Sequence, residues 1–189
     1  MILNKNLGLI GQFLGDYNRE IYGRGMVGKV PMSQKAIALA LDNMENQSIL
    51  KSRKQGNMKY FRMNLENPEV KDIIVSAEIM RKLEFFKKHR KIANLFKQDS
   101  RIVGIFGSYA KGTEKGDSDI DLFVIGSKLR EDYDKKGKPY DLNISIKYFT
   151  EKGFKIKNNL IKEIAASHII IFGIEKFTDM LWRDFYGFN

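Results

Sequence analysis

Two short stretches in the second half of the chain hold residues suited to phosphate and metal chemistry. The apolar residues Ile102, Val103, Ile105 and Phe106 end abruptly at Gly107-Ser108, the pattern of a buried strand meeting a tight turn. Gly107 leaves room for a ligand against the backbone, Ser108 offers a hydroxyl and an amide, and residues 109–112 open a helix whose N-terminus favours an anion such as phosphate. Lys111 adds a positive charge there. Ten residues separate Ser108 from Asp119-Ile120-Asp121, which is followed by Leu122, Phe123, Val124 and Ile125. On a strand, Asp119 and Asp121 project from one face. Two such carboxylates repel each other unless they are solvated, share a proton or share a divalent cation such as Mg²⁺.

A further acid stands on the next strand-like run, 140–148. Its period is two: Leu142, Ile144, Ile146 and Tyr148 fall on one face, and Asp141, Asn143, Ser145 and Lys147 on the other. That alternation predicts Asp141 joining Asp119 and Asp121 in a three-carboxylate site.

Gly-Ser, ten residues, Asp-x-Asp and one further Asp together resemble the nucleotidyltransferase superfamily related to DNA polymerase beta, in particular its minimal nucleotidyltransferases. The resemblance covers residues 99–188, about half the chain. It implies a polymerase-beta-like fold with a mixed sheet, with Gly107, Ser108 and Lys111 binding a nucleoside triphosphate, ATP or another. It also implies two Mg²⁺ ions held by Asp119, Asp121 and Asp141 as the catalytic acids. Lys111 stands where the family more often has Arg.

Composition sets the frame. The chain has 189 residues, 43% of them hydrophobic, enough for one good core or two small ones. It has no cysteine, which excludes disulfides and thiolate metal sites. No apolar run approaches the roughly 20 residues of a membrane span, and the N-terminus lacks a signal-peptide pattern, so a cytoplasmic protein is expected, with no membrane partner. The net charge is +10, and residues 1–65 hold ten Lys and Arg against four Asp and Glu. A basic excess of that kind suits a polyanion.

Within residues 1–65 the pattern predicts a helix with Leu7, Ile10, Phe13 and Leu14 inward, a weak Gly-interrupted segment, and a helix over 34–46 capped by Ser33. Strands at 48–52 and 59–63 follow, joined by Arg53-Lys54-Gln55-Gly56-Asn57. This order resembles a winged helix-turn-helix domain. The resemblance implies double-stranded DNA as partner, with Ser33, Gln34 and Lys35 at the major groove and Arg53, Lys54, Asn57 and Lys59 on the wing. Leu39 departs from the pattern, being apolar where this helix is more often polar.

Asn67-Pro68 starts a long helix over 69–97 with Val70, Ile73, Ile74, Ala77, Met80, Leu83 and Phe86 down one side. It serves as a linker over 66–98 and as a surface for pairing in a homodimer. Residues 132–139 read as a polar loop, 155–167 as a helix, 168–173 as a strand, and the end as a short helix with Trp182 as a core anchor. His89 and His168 have no catalytic context.

The fold expected is therefore α/β (α+β): a winged helix over 1–65, a linker helix, and a nucleotidyltransferase domain over 99–189. The function expected is Mg²⁺-dependent transfer of a nucleoside monophosphate, AMP from ATP, to a hydroxyl. By the same resemblance the acceptor is a protein partner such as a HEPN-type toxin, with the chain acting as an antitoxin that binds its own promoter. The alternative is a DNA-binding transcriptional regulator whose second domain is inactive or only senses nucleotide.

Overall fold

The structure is a computed structural model that describes residues 3–130, 132–155 and 158–187. It divides into two compact units, 1–77 and 78–189. No helix among the described residues is long and apolar enough to cross a membrane.

The first unit opens with α1 (Leu3–Ile10), whose last turn continues as a 3-10 turn ending at the buried Phe13. Strand β1 (Ile21–Tyr22) and a further 3-10 turn lead to α2 (Gln34–Asn46). The Ser33 hydroxyl accepts a hydrogen bond from the Ala36 amide and caps α2, and Ile37, Ala40, Leu41 and Met44 form its buried stripe. Strands β2 (Leu50–Gln55) and β3 (Met58–Met63) then form a hairpin whose turn is Gly56-Asn57 alone. The strands are longer than the sequence suggests, because Arg53, Lys54 and Gln55 pair across the ladder despite their charge. The sheet order is β1-β3-β2, antiparallel throughout.

Helix α3 (Glu69–Lys88) begins in the first unit and ends in the second. The expected continuation to residue 97 does not occur. His89 leaves the helical region at φ −119° and ψ 64°, and a separate short helix, α4 (Arg90–Ala93), follows. No breaker residue causes this. The His89 ring packs at 4.5 Å from that of Phe85, one turn earlier, and its Nε2 lies 3.5 Å from Glu114 Oε1 in the loop before β5. Leu83, expected inward, is 51% exposed.

The second unit is built on a mixed sheet of order β6-β5-β4-β7. Strand β4 (Ile102–Phe106) pairs antiparallel with β5 (Ile120–Ile125), and Phe106 meets Asp121 at the last rung. Between them lies the one-turn helix α5 (Gly107–Lys111). Helix α6 (Tyr133–Gly137) precedes β6 (Ile144–Phe149), which runs parallel to β5 with Ser145 opposite Asp121. Helix α7 (Asn159–Ala166), strand β7 (Ile169–Phe172) antiparallel to β4, and α8 (Ile174–Tyr186) complete the unit. Strand alternation divides the core. Leu122 and Val124 pack with Phe85, Ile92 and Tyr133, while Phe123 stacks among Phe106, Phe154 and Phe177. Trp182 is half-buried rather than a core anchor, and His168 is fully buried.

Candidate active site

The turn after β4 is shaped by the carboxylate it crosses. Gly107 has φ +69°, and a β-carbon there would run into Asp121 Oδ2. Because Phe106 and Asp121 form the final pair of the ladder, the chain must leave β4 directly over that carboxylate, and only glycine fits both the dihedral and the space. Helix α5 closes on Gly112, also left-handed at φ +68°, and the Thr113 amide donates to the Ser108 carbonyl at 3.0 Å. Ser108 is half-buried beside this turn. Lys111 is exposed, with its Nζ 2.7 Å from Glu163 Oε1 on α7.

Asp119 is exposed just before β5, and Asp121 is half-buried one step inside it. Burial pushes the Asp121 carboxyl up from the ordinary range, and the charges of Asp119 and Glu163 push the same way, while Lys147 opposes them. The pair is thus an incompletely compensated concentration of negative charge, the chemistry that a divalent cation relieves. Mg²⁺ needs no more than one or two carboxylates when phosphate and water supply its other ligands, so Asp119 and Asp121 fit one such ion.

Asp141 does not complete a three-acid group. It is exposed, with φ 53°, at the end of the 3-10 turn Lys138–Tyr140, and β6 begins only at Ile144. Among the described residues no group of three or more His, Cys, Asp or Glu is placed to hold a metal. The alternation that put Asp141 beside the others assumed an extended chain from 140 onward, and the left-handed residue interrupts it. The neighbours that this region gives β5 are Asn143, just before β6, whose carbonyl accepts from the Ile120 amide at 2.8 Å, and Ser145 in β6, paired with Asp121.

Two contributors escape sequence reasoning, and a third does not. Glu163 bears on Asp121 from α7, and nothing in its local sequence ties it to the turn, whereas Lys147, which bears on Asp121 from β6, stands on the face that strand alternation assigned to Asp141. Glu114, between the turn and β5, accepts from Lys88 Nζ at 2.6 Å and anchors this loop to the end of α3.

In the first unit, Ser33, Gln34 and Lys35 are exposed at the start of α2, and Lys54 and Asn57 are exposed at the hairpin. The other two expected wing cations are held by acids. Arg53 binds Glu20 through two hydrogen bonds of 2.6 and 2.5 Å, and Lys59 bridges Asp42 at 2.9 Å and Glu45 at 2.5 Å.

Residues 86–178 match the family model described as a nucleotidyltransferase domain. No curated protein and no solved structure matches the chain.

Proposed function

We propose, from the match of residues 86–178 to the nucleotidyltransferase domain model, that the chain is an enzyme of that type and moves a nucleoside monophosphate from a nucleoside triphosphate, ATP, to a hydroxyl on a protein partner. The observation that carries this reading is the Gly107 turn lying directly against Asp121, with Asp119 beside it. In this reading Ser108 and the turn amides bind the triphosphate, and Lys111 adds charge to that binding. Asp119 and Asp121 would hold a divalent cation, which when bound neutralises phosphate charge and steadies the attacking and departing oxygens. The acceptor oxygen bonds to the α-phosphorus as the bond to the pyrophosphate oxygen breaks. For the proton lost from the hydroxyl we assign Asp141, exposed where the chain enters β6, as base rather than ligand. The protein acceptor is supported by the likeness of the Gly-Ser and Asp-x-Asp arrangement to minimal nucleotidyltransferases.

The test is to incubate the protein with Mg²⁺ and ATP labelled in the α-phosphate and in the adenine, with candidate acceptors, beside the Asp119→Ala/Asp121→Ala variant. Label transfer that disappears in the variant supports the reading. Transfer that persists in it removes Asp119 and Asp121 from the mechanism. Asp141→Asn should lower turnover while leaving Mg²⁺-dependent ATP binding unchanged.

For the first unit we propose binding of double-stranded DNA, supported by a Ser-capped helix followed by a basic hairpin. The engaged state of Arg53 and Lys59 directs the reading to Gln34 and Lys35 on α2 and Lys54 on the hairpin. Duplex affinity should fall steeply with salt, as phosphate contacts require, and a flat response would argue against it. Nucleotide binding without turnover, together with salt-dependent DNA binding, would instead favour a regulator that senses nucleotide.

A further inference from the structure

Lys111, the cation of the turn, is already occupied. Its ammonium meets Glu163 Oε1 at 2.7 Å and so ties the last residue of α5 to α7. Both side chains are about half exposed, at 47% and 45%, and an ion pair in that setting adds little to folding. Helix α7 is independently held by the buried Ile161, Ile164 and Ala165. The pair is therefore not what keeps α7 in place. Its position matters more. Glu163 sits against the cation that ends α5, and that same one-turn helix begins at Gly107 over Asp121, so α7 adds a negative charge beside the turn.

Resting on the nucleotide reading above, we propose that Glu163 is a positioning residue that makes the turn select a cation-complexed triphosphate over a bare one. Glu163 holds Lys111 until nucleotide arrives. A bare triphosphate that takes Lys111 leaves Glu163 unpaired beside the turn that crosses Asp121, with the phosphate charge added to that of the acids. Repulsion among these groups opposes its entry. A triphosphate carrying a divalent cation brings less net negative charge and a partner for the acids, so the same exchange costs it much less. Glu163 acts here through Lys111 and has no contact with the reacting atoms.

The experiment is calorimetric titration of the full chain with ATP, once with EDTA and once with Mg²⁺, for wild type, Glu163→Gln, Lys111→Gln and the double variant. Glu163→Gln should tighten ATP binding in EDTA about threefold to fivefold, the size expected of one exposed charge pair. Binding with Mg²⁺ should move by less than about twofold, and the melting temperature should not change. Lys111→Gln should cost more affinity in the Glu163→Gln background than alone, because there the ammonium–phosphate contact is lost without the offset of a broken ion pair. Equal or weaker EDTA binding in Glu163→Gln overturns the proposal while leaving the nucleotide reading standing. Failure of the wild type to bind ATP under either condition overturns both.

Discussion

At the scale of single residues, the turn and its carboxylate make opposite demands on stability and function. Gly107→Ala places a methyl group against Asp121 Oδ2 at a backbone angle of φ +69°. The left-handed conformation alone costs an L-residue about 1–2 kcal/mol, and displacement of Asp121 adds to it. The expected result is a lowered melting temperature together with loss of ATP binding, measured by thermal denaturation and calorimetry. Asp121→Asn should behave differently. The folded-state carboxyl is raised above its unfolded value by burial and by Asp119. Such a group favours folding only below the unfolded carboxylate range, and that contribution is lost as pH rises through the folded value. At neutral pH ionised Asp121 therefore destabilises the fold. Asp121→Asn should raise the melting temperature at pH 7, with the difference from wild type shrinking as acid protonates Asp121, while label transfer disappears. Gly107, Asp119 and Asp121 were legible because glycine at a strand end and paired acids on a strand imply their own geometry. Glu163 was not, because its role arises from the placement of α7 rather than from its neighbours in sequence.

At the scale of elements, the end of β4 remote from the turn is fixed by a buried polar cluster. The Arg101 side chain, 9% exposed, pairs with Asp99 at 2.7 Å and Asp132 at 2.7 Å, and those acids are 5% and 1% exposed. Burial alone would push the Asp132 carboxyl up, but hydrogen bonds from Arg101, Tyr148 and the Leu129 and Tyr133 amides outweigh it and hold it well below the usual range. The Tyr148 hydroxyl, which donates to Asp132 at 2.9 Å, is pushed up to about 12 by burial and by that hydrogen bond. Arg101→Met leaves two buried carboxylates without their cation, a loss of about 3–5 kcal/mol, to be read from urea denaturation. The pH dependence has two limbs. The depressed Asp132 contributes stability above its unfolded value that is lost as pH falls through the folded one. The raised Tyr148 contributes stability that is complete below its unfolded value near pH 10 and lost as pH rises towards about 12. Tyr148→Phe should flatten the alkaline limb and also shift the acid one to higher pH, because Asp132 loses one of the hydrogen bonds that hold its carboxyl low. None of this was readable in advance. Residues 132–139 are charged and hold Gly137 and Pro139, so they look like a solvated loop, yet Asp132 and Tyr133 are each 1% exposed because Arg101, distant in sequence, supplies the missing partner.

At the scale of the whole molecule, the division into units falls inside a helix. The apolar stripe of α3 was legible from its spacing, but a stripe says that a face is buried and not against what. Val70, Ile74 and Ala77 are buried in the part of α3 that belongs to the first unit, whereas Phe85 belongs to the core of the second, with Ile92, Leu95 and Phe96 from the segment after it. Glu78, the first residue of the second unit, is 1% exposed, and its Oε1 lies 2.9 Å from Nε2 of the buried His168. A fragment beginning at residue 99, where the sequence pattern starts the nucleotidyltransferase region, therefore omits four large apolar side chains and the partner of a buried imidazole. At about 1.5–3 kcal/mol for each apolar side chain, the four contribute about 6–12 kcal/mol, comparable with the 5–15 kcal/mol that holds a typical domain folded. The expected outcome is that residues 78–189 melt cooperatively by circular dichroism, while residues 99–189 bind a hydrophobic dye and show no sharp transition. Cooperative melting of the shorter fragment would mean that the sheet and α6–α8 suffice. In that case the end of α3 would act on the turn only through Lys88, His89 and Glu114.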